Sequence, residues 1–136
     1  MTKQVDTQKY TEFVDAVTSN ESKSSESFSV RLRELYSEGL SVERLLTAAV
    51  GMSAESGEFT EIVKKMIFQG KPWDEANRDH LIIELGDVIW YAANACMALD
   101  ISFEEVVARN VTKLEKRYPG GQFDVYYSEH REEDDL

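Results

Sequence analysis

Two short acidic motifs are the part of this sequence best suited to chemistry. Glu55-Ser-Gly-Glu58 and Glu84-Leu-Gly-Asp87 each read acid, any residue, glycine, acid. An i, i+3 spacing places both carboxylates of a pair on one face of a helix. Four clustered carboxylates repel one another unless a cation lies between them. The motifs therefore predict a divalent-cation site, with solvated acids on amphipathic helices as the alternative interpretation.

The residues around the second motif favour the metal interpretation. Four polar residues share one stripe of a helical wheel: Glu84, Asp87, Tyr91 and Asn94. Apolar side chains, among them Trp90, border this stripe on both sides. A solvated stripe would expose the tryptophan, whereas a buried helix that lines a site would not. We therefore take Tyr91 and Asn94 as candidate substrate-binding residues beside the acids.

The ligand types indicate which ion the site would hold. Carboxylate oxygens suit Mg²⁺, with Mn²⁺ as a possible substitute. Zinc and di-iron sites would require His or Cys ligands at spacings that neither acidic pair offers. His80 lies four residues before Glu84, but an exposed histidine without a role is the simpler interpretation. A hard dication held by carboxylates is a common device of phosphate chemistry.

Helices must position these acids. Apolar residues at helical spacing predict five helices, at about 7–18, 28–37, 42–69, 75–100 and 103–118. Asp74 and Ser102 are predicted N-caps, and Gly39 is a predicted C-terminal stop. No alternating strand pattern is present. The expected fold is all-α, a helical bundle in which the two long helices carry the paired acidic motifs.

Glycines inside the long helices indicate close packing. A glycine in mid-helix costs about 1 kcal/mol relative to alanine, so each asks for a structural reason. Gly51, Ala54 and Gly57 on the first long helix and Gly86 on the second would let the two backbones approach closely. Such an approach would bring the four carboxylates into one cluster.

Three stretches of the sequence resemble the MazG-like nucleotide pyrophosphohydrolases, an all-α group that includes dimeric dUTPases. They are residues 51–58, 84–91 and 110–120, within a likeness that covers 43–123. The resemblance implies hydrolysis of a nucleoside triphosphate to the monophosphate and pyrophosphate, and assembly as a homodimer or homotetramer. It also implies a set of Mg²⁺ ligands: Glu55, Glu58, Glu84 and Asp87.

Basic and polar side chains near the motifs are candidates for phosphate binding. Asn110, Lys113 and Arg117 share one face of the final helix. Their spacing alone fits an ordinary solvated face, whereas the resemblance implies contact with phosphate. Lys65 falls near Glu58 on the helical wheel and is a further candidate. Glu58 is the candidate catalytic residue, which would orient or deprotonate the attacking water.

Composition suggests three segments and a cytoplasmic protein. We expect an N-terminal helical extension at 1–40 with a Ser-rich linker at 18–27, a core at 41–123, and an acidic tail at 124–136. The net charge of −11 argues against nucleic acid and anionic membranes as partners. The start is too polar for a signal peptide, and no apolar run is expected to span a bilayer.

Two other functions fit the same residues. One is phosphoribosyl-ATP pyrophosphohydrolase activity, which a metal motif alone does not exclude. The other is a non-catalytic helical interaction module, in which a metal ion only ties helices together.

Overall fold

Helices make up almost all of the regular structure. The computed structural model describes residues 5–131. In chain order the elements are α1 (Thr7–Val17), a 3₁₀ helix (Asn20–Ser22), α2 (Ser25–Ser37), α3 (Val42–Phe68), α4 (Glu75–Ala98), α5 (Phe103–Arg117) and α6 (Val125–Glu129). No strand occurs within residues 5–131, and the predicted all-α fold is confirmed. The chain divides after Val42 into two compact units.

The first unit holds α1, the 3₁₀ helix and α2. The linker expected at 18–27 is shorter than predicted, because α2 already begins at Ser25. The hydroxyl of Ser24 accepts a hydrogen bond from the backbone N–H of Ser27 and caps the helix there. Gly39, with φ of +95°, follows the last turn of α2. The N–H groups of Gly39 and Leu40 donate to the carbonyls of Tyr36 and Leu35 in the last turn, and the predicted stop at Gly39 is confirmed.

In the second unit, two predicted caps set the starts of α4 and α5. The Asp74 carboxylate accepts from the N–H of Asn77 at 2.8 Å, and the Ser102 hydroxyl accepts from the N–H of Glu105 at 3.1 Å. The buried side chain of Asn77 also donates to the carbonyl of Pro72 at 2.7 Å. This contact holds the loop that joins α3 to α4 against the first turn of α4. The two long helices run antiparallel, since Arg44 meets Asn94 and Glu55 lies beside Asp87.

The polar stripe of α4 turns toward α3, and much of its apolar surface does not. The buried residues of α3 and α4 are Ala48, Gly51, Ile62, Asn77, Glu84 and Ala98. Trp90, expected to be buried, is 58% exposed, and Ile83 and Met97 on the same side of α4 are 60% and 58% exposed. That expectation is wrong for the single chain because α4 is apolar on nearly every side. A neighbouring helix covers only one stripe of it.

The segment expected to be an acidic tail begins with a short helix. The carboxylate of Asp124 accepts from the N–H of Tyr126 and caps α6. The ring of His130 stacks on that of Tyr126, with centroids 4.4 Å apart. Residues 132–136, which carry most of the tail's charge, lie outside the described residues.

α4 is long and apolar enough to cross a membrane by length and composition alone, which the sequence analysis did not expect. Glu84 and Asp87 stand near the middle of this helix. Ionised carboxylates at the centre of a bilayer cost about 2.5–3.5 kcal/mol each on insertion scales. The composition of α4 therefore does not by itself make it a membrane span.

Candidate active site

Three of the four motif carboxylates meet between the two long helices. Glu55 of α3 and Glu84 and Asp87 of α4 each offer an oxygen, and these oxygens lie within 4.8 Å of one another. Glu84 is buried, Glu55 is half-buried and Asp87 is exposed. The cluster is therefore closed by protein on one side and open to solvent on the other, as a ligand site requires.

Glu58 lies outside this cluster. It follows Glu55 by one turn of α3, and its side chain is exposed. Its negative charge is nevertheless close enough to raise the pKa of Glu55. The structure thus brings together three of the four predicted ligands and leaves the fourth at the rim, with a carboxylate free to meet solvent.

The pKa of the Glu55 carboxyl reflects its burial and its acidic neighbours. Burial raises the pKa of Glu55 above its ordinary value. The charges of Asp87 and Glu84, and then that of Glu58, raise the pKa of Glu55 further, as does a hydrogen bond to the side chain of Glu84. A cation bound among these oxygens would remove the repulsion and favour the ionised form.

Removing the Glu55 charge is expected to stabilise the metal-free protein at neutral pH. A carboxyl with a raised folded-state pKa disfavours folding when it is ionised, and this penalty disappears as the pH falls through that pKa. In EDTA, Glu55→Gln should therefore melt above the parent at pH 7, and the gap should close in acid. Melting curves across this pH range measure the gap.

Glu61→Gln is the matched control for this pH series. Hydrogen bonds from Lys64 and then Lys65 lower the pKa of Glu61, so its charge favours folding. Glu61→Gln should melt at or slightly below the parent at neutral pH. A Glu55→Gln protein that melts below the parent at pH 7 would contradict the repulsive cluster.

His80 supplies a contact that the sequence analysis did not assign. Its Nε2 lies 2.9 Å from Oε1 of Glu84, one helical turn away. No side-chain N or O atom buried in residues 5–131 lacks a hydrogen-bond partner. The i, i+4 spacing of His80 and Glu84 was the available signal, but the sequence alone did not show that Glu84 is buried.

One glycine, Gly51, makes the close approach expected of four small residues. A Cβ atom built on Gly51 would lie 2.1 Å from the ring of Tyr91, so the aromatic ring rests directly on the α3 backbone. Gly57 and Gly86 have no such neighbour within 4 Å, and the expected close packing at these positions is wrong. Gly51 lies one turn before Glu55 on α3, and its missing side chain leaves room for the Tyr91 ring.

Asn94 ties α3 to α4 at the far end of the polar stripe. Its Oδ1 accepts from Nη1 of Arg44 at 3.2 Å, and its Nδ2 donates to the carbonyl of Trp90 at 3.1 Å. The same guanidinium nitrogen of Arg44 lies 3.3 Å from the sulfur of Met97. Arg44 was not predicted from the sequence, because only the register of the two helices shows that it faces Asn94.

The predicted phosphate-binding residues occupy different surroundings. Nζ of Lys65 lies 3.2 Å from Glu61, which Lys64 also contacts at 2.6 Å. Of the predicted basic face on α5, Asn110 is exposed, whereas Lys113 and Arg117 are half-buried. Helix α5 packs against α4, so this face belongs to the same unit as the carboxylates.

Comparison with known proteins agrees with this arrangement of motifs. Residues 44–121 match the family model of the MazG nucleotide pyrophosphohydrolase domain. Over 83 residues the chain is 40% identical to the Gene 37 protein of Mycobacterium phage L5, an alignment that covers 60% of this chain and 72% of that protein. No solved structure gives a significant match. The family match covers more than half of the chain and spans both acidic pairs and the basic face of α5, so this chain belongs to the MazG nucleotide pyrophosphohydrolase family.

Proposed function

We propose that this protein is a Mg²⁺-dependent nucleoside triphosphate pyrophosphohydrolase. The reaction converts a (d)NTP and water to the (d)NMP and pyrophosphate. The observation that carries the proposal is the meeting of Glu55, Glu84 and Asp87 between α3 and α4, within the segment that matches the family. Three ionised carboxylates at this distance repel one another unless a cation neutralises them.

The donor set fits Mg²⁺ or Mn²⁺. Oxygens around octahedral Mg²⁺ stand about 2.1 Å from the ion, hence about 3 Å apart when adjacent and about 4 Å when opposite. The carboxylate oxygens of Glu55, Glu84 and Asp87, within 4.8 Å of one another, need only small side-chain movements to match. When bound, the ion would neutralise charge on the triphosphate and orient it for attack.

Glu58 is the candidate catalytic residue because it stands at the open rim of the cluster. Its exposed carboxylate is not among the three converging oxygens. It would accept a hydrogen bond from the attacking water and orient it toward the α-phosphorus, or remove its proton. A turn of its side chain toward Glu55 would instead complete a four-carboxylate ligand set.

The basic side chains would neutralise the phosphates that the metal leaves uncovered. Lys65 can give up its ion pair with Glu61 and contact phosphate, because Lys64 remains paired with the same carboxylate. Asn110, Lys113 and Arg117 form the second part of this proposed phosphate-binding surface, since guanidinium and ammonium groups suit phosphate oxygens. Tyr91 and Asn94, further along the α4 stripe, would face the nucleoside.

Self-association as a homodimer or homotetramer is part of the proposal. Ile83, Trp90 and Met97 are spaced by seven residues and line one side of α4, and each is more than half exposed. The three residues span about 21 Å along the helix axis. Burying their apolar surface in an interface would stabilise the complex by about 25 cal/mol per Å². A second copy of the chain would cover this apolar surface. The proposal further includes a cytoplasmic location and neither nucleic acid nor membrane as a partner.

A nucleotide panel tests the proposed function. Each (d)NTP, and phosphoribosyl-ATP in a parallel reaction, is incubated with the protein and Mg²⁺, and phosphate is measured with and without added inorganic pyrophosphatase. We expect phosphate only when the coupling enzyme is present, and none in EDTA. Phosphate without the coupling enzyme would indicate cleavage of the terminal phosphate. Turnover of phosphoribosyl-ATP alone, or of no nucleotide, would favour the two other functions that fit the sequence.

A further inference from the structure

The contact between His80 and Glu84 joins an exposed side chain to a buried one. The His80 side chain is 50% exposed and that of Glu84 is 11% exposed, and Nε2 and Oε1 are 2.9 Å apart. Both residues lie on α4, one turn apart, so the helix itself sets their separation. Because the ring holds one oxygen, the rotation of the Glu84 carboxylate is fixed, and so is the direction of its second oxygen.

The neighbouring charges explain why the orientation of the Glu84 carboxylate would matter for metal binding. Glu55 and Asp87 present like charges within 4.8 Å, and repulsion would turn an unrestrained carboxylate away from them. A group that orients a ligand before the metal arrives removes that cost from binding. Within residues 5–131, His80 holds the Glu84 carboxylate from outside the cluster of acids.

We propose that His80 is a positioning residue for the metal site, which holds Glu84 in the orientation that binds the cation. This inference rests on the proposed function, because it assumes that the cluster binds a divalent metal. The competing interpretation is an ordinary i, i+4 pair on a helix surface. Such a pair contributes slightly to helix stability and leaves metal affinity unchanged.

Mn²⁺ affinity separates the two interpretations. Free Mn²⁺ gives an electron paramagnetic resonance signal that bound Mn²⁺ loses, so titration of the metal-free protein yields the dissociation constant without any substrate. His80→Ala should weaken Mn²⁺ binding by about 10- to 100-fold, the usual effect of losing a group that orients a ligand. His80→Gln places an amide donor near the position of Nε2 and should stay within about threefold of the parent.

His130→Ala is the matched control. The other histidine of the chain, His130, bonds the carbonyl of Tyr126 and lies outside the carboxylate cluster found in residues 5–131, so its loss should leave Mn²⁺ affinity at the parental value. The metal-free melting temperatures of the His80 variants should stay close to that of the parent, which separates lost positioning from lost folding. In turnover assays, excess metal should restore the His80→Ala rate toward the parental kcat.

Each remaining outcome overturns the inference. If His80→Ala kept the parental Mn²⁺ affinity, the contact would be an ordinary i, i+4 pair on a helix surface. The proposed function would not be affected by that result. Equal weakening in His80→Ala and His80→Gln would show that the hydrogen bond is not the cause. A parent protein that binds no Mn²⁺ would overturn the metal site itself, and the inference with it.

Discussion

Glu84→Gln is expected to reduce pyrophosphohydrolase turnover by about 100-fold or more, since even groups that only orient a metal ligand are worth about 10–100-fold. Glu84 is the buried member of the carboxylate cluster, and glutamine keeps its shape while removing its charge. Stability should move in the opposite direction. Without metal, the variant should melt at or above the parent, because one of three repelling charges is gone.

Added Mg²⁺ should raise the melting temperature of the parent more than that of Glu84→Gln. A ligand that binds only the folded state stabilises it by about 2.7 kcal/mol at 100 times its dissociation constant. The parent should therefore gain melting temperature in Mg²⁺, and Glu84→Gln should gain much less. Melting curves in EDTA and in Mg²⁺, beside the pyrophosphate assay, measure both effects.

Glu75→Gln provides the matched control for this substitution. Glu75 lies on the same helix, is exposed and stands outside the cluster, so its replacement should leave turnover and the Mg²⁺-dependent shift near parental values. If Glu84→Gln behaved like Glu75→Gln, the carboxylate cluster would not be the catalytic metal site.

Gly51→Ala is expected to destabilise the protein, although alanine is the better helix former. The new Cβ would lie 2.1 Å from the Tyr91 ring, and overpacking of this kind costs about 1–3 kcal/mol. Gly57→Ala, the same change with nothing within 4 Å, should instead gain up to about 1 kcal/mol from helix propensity. Chemical denaturation of both variants measures the difference.

The Tyr91→Ala background tests the cause of the Gly51 effect. With the ring removed, Gly51→Ala should no longer destabilise, because the space above the α3 backbone is empty. If Gly51→Ala were still destabilising there, or if Gly51→Ala and Gly57→Ala were equal in the parent, the contact between Tyr91 and Gly51 would not explain the effect.

Local chemistry was predictable from the sequence. Asp74, Ser102 and Gly39 end or begin their helices as predicted, because a cap depends on residues within one turn. The i, i+3 spacing likewise placed each acidic pair on one helical face. These features need no knowledge of which helices become neighbours.

Features that depend on register between helices were not predictable. The pairing of Arg44 with Asn94 joins residues fifty positions apart, and Gly51 of α3 lies against the ring of Tyr91 of α4. The exposure of Trp90 was missed for a related reason. The sequence pattern shows that α4 is apolar on several sides, but it does not show which sides one chain covers.

Hydrolysis in heavy-oxygen water tests the central claim most directly. If water attacks the α-phosphorus, the bond to pyrophosphate breaks and the new oxygen enters the monophosphate. Mass spectrometry of the products from a (d)NTP and Mg²⁺ should find one heavy oxygen in the (d)NMP and none in the pyrophosphate. Label in the pyrophosphate, or a nucleoside diphosphate as product, would contradict the account.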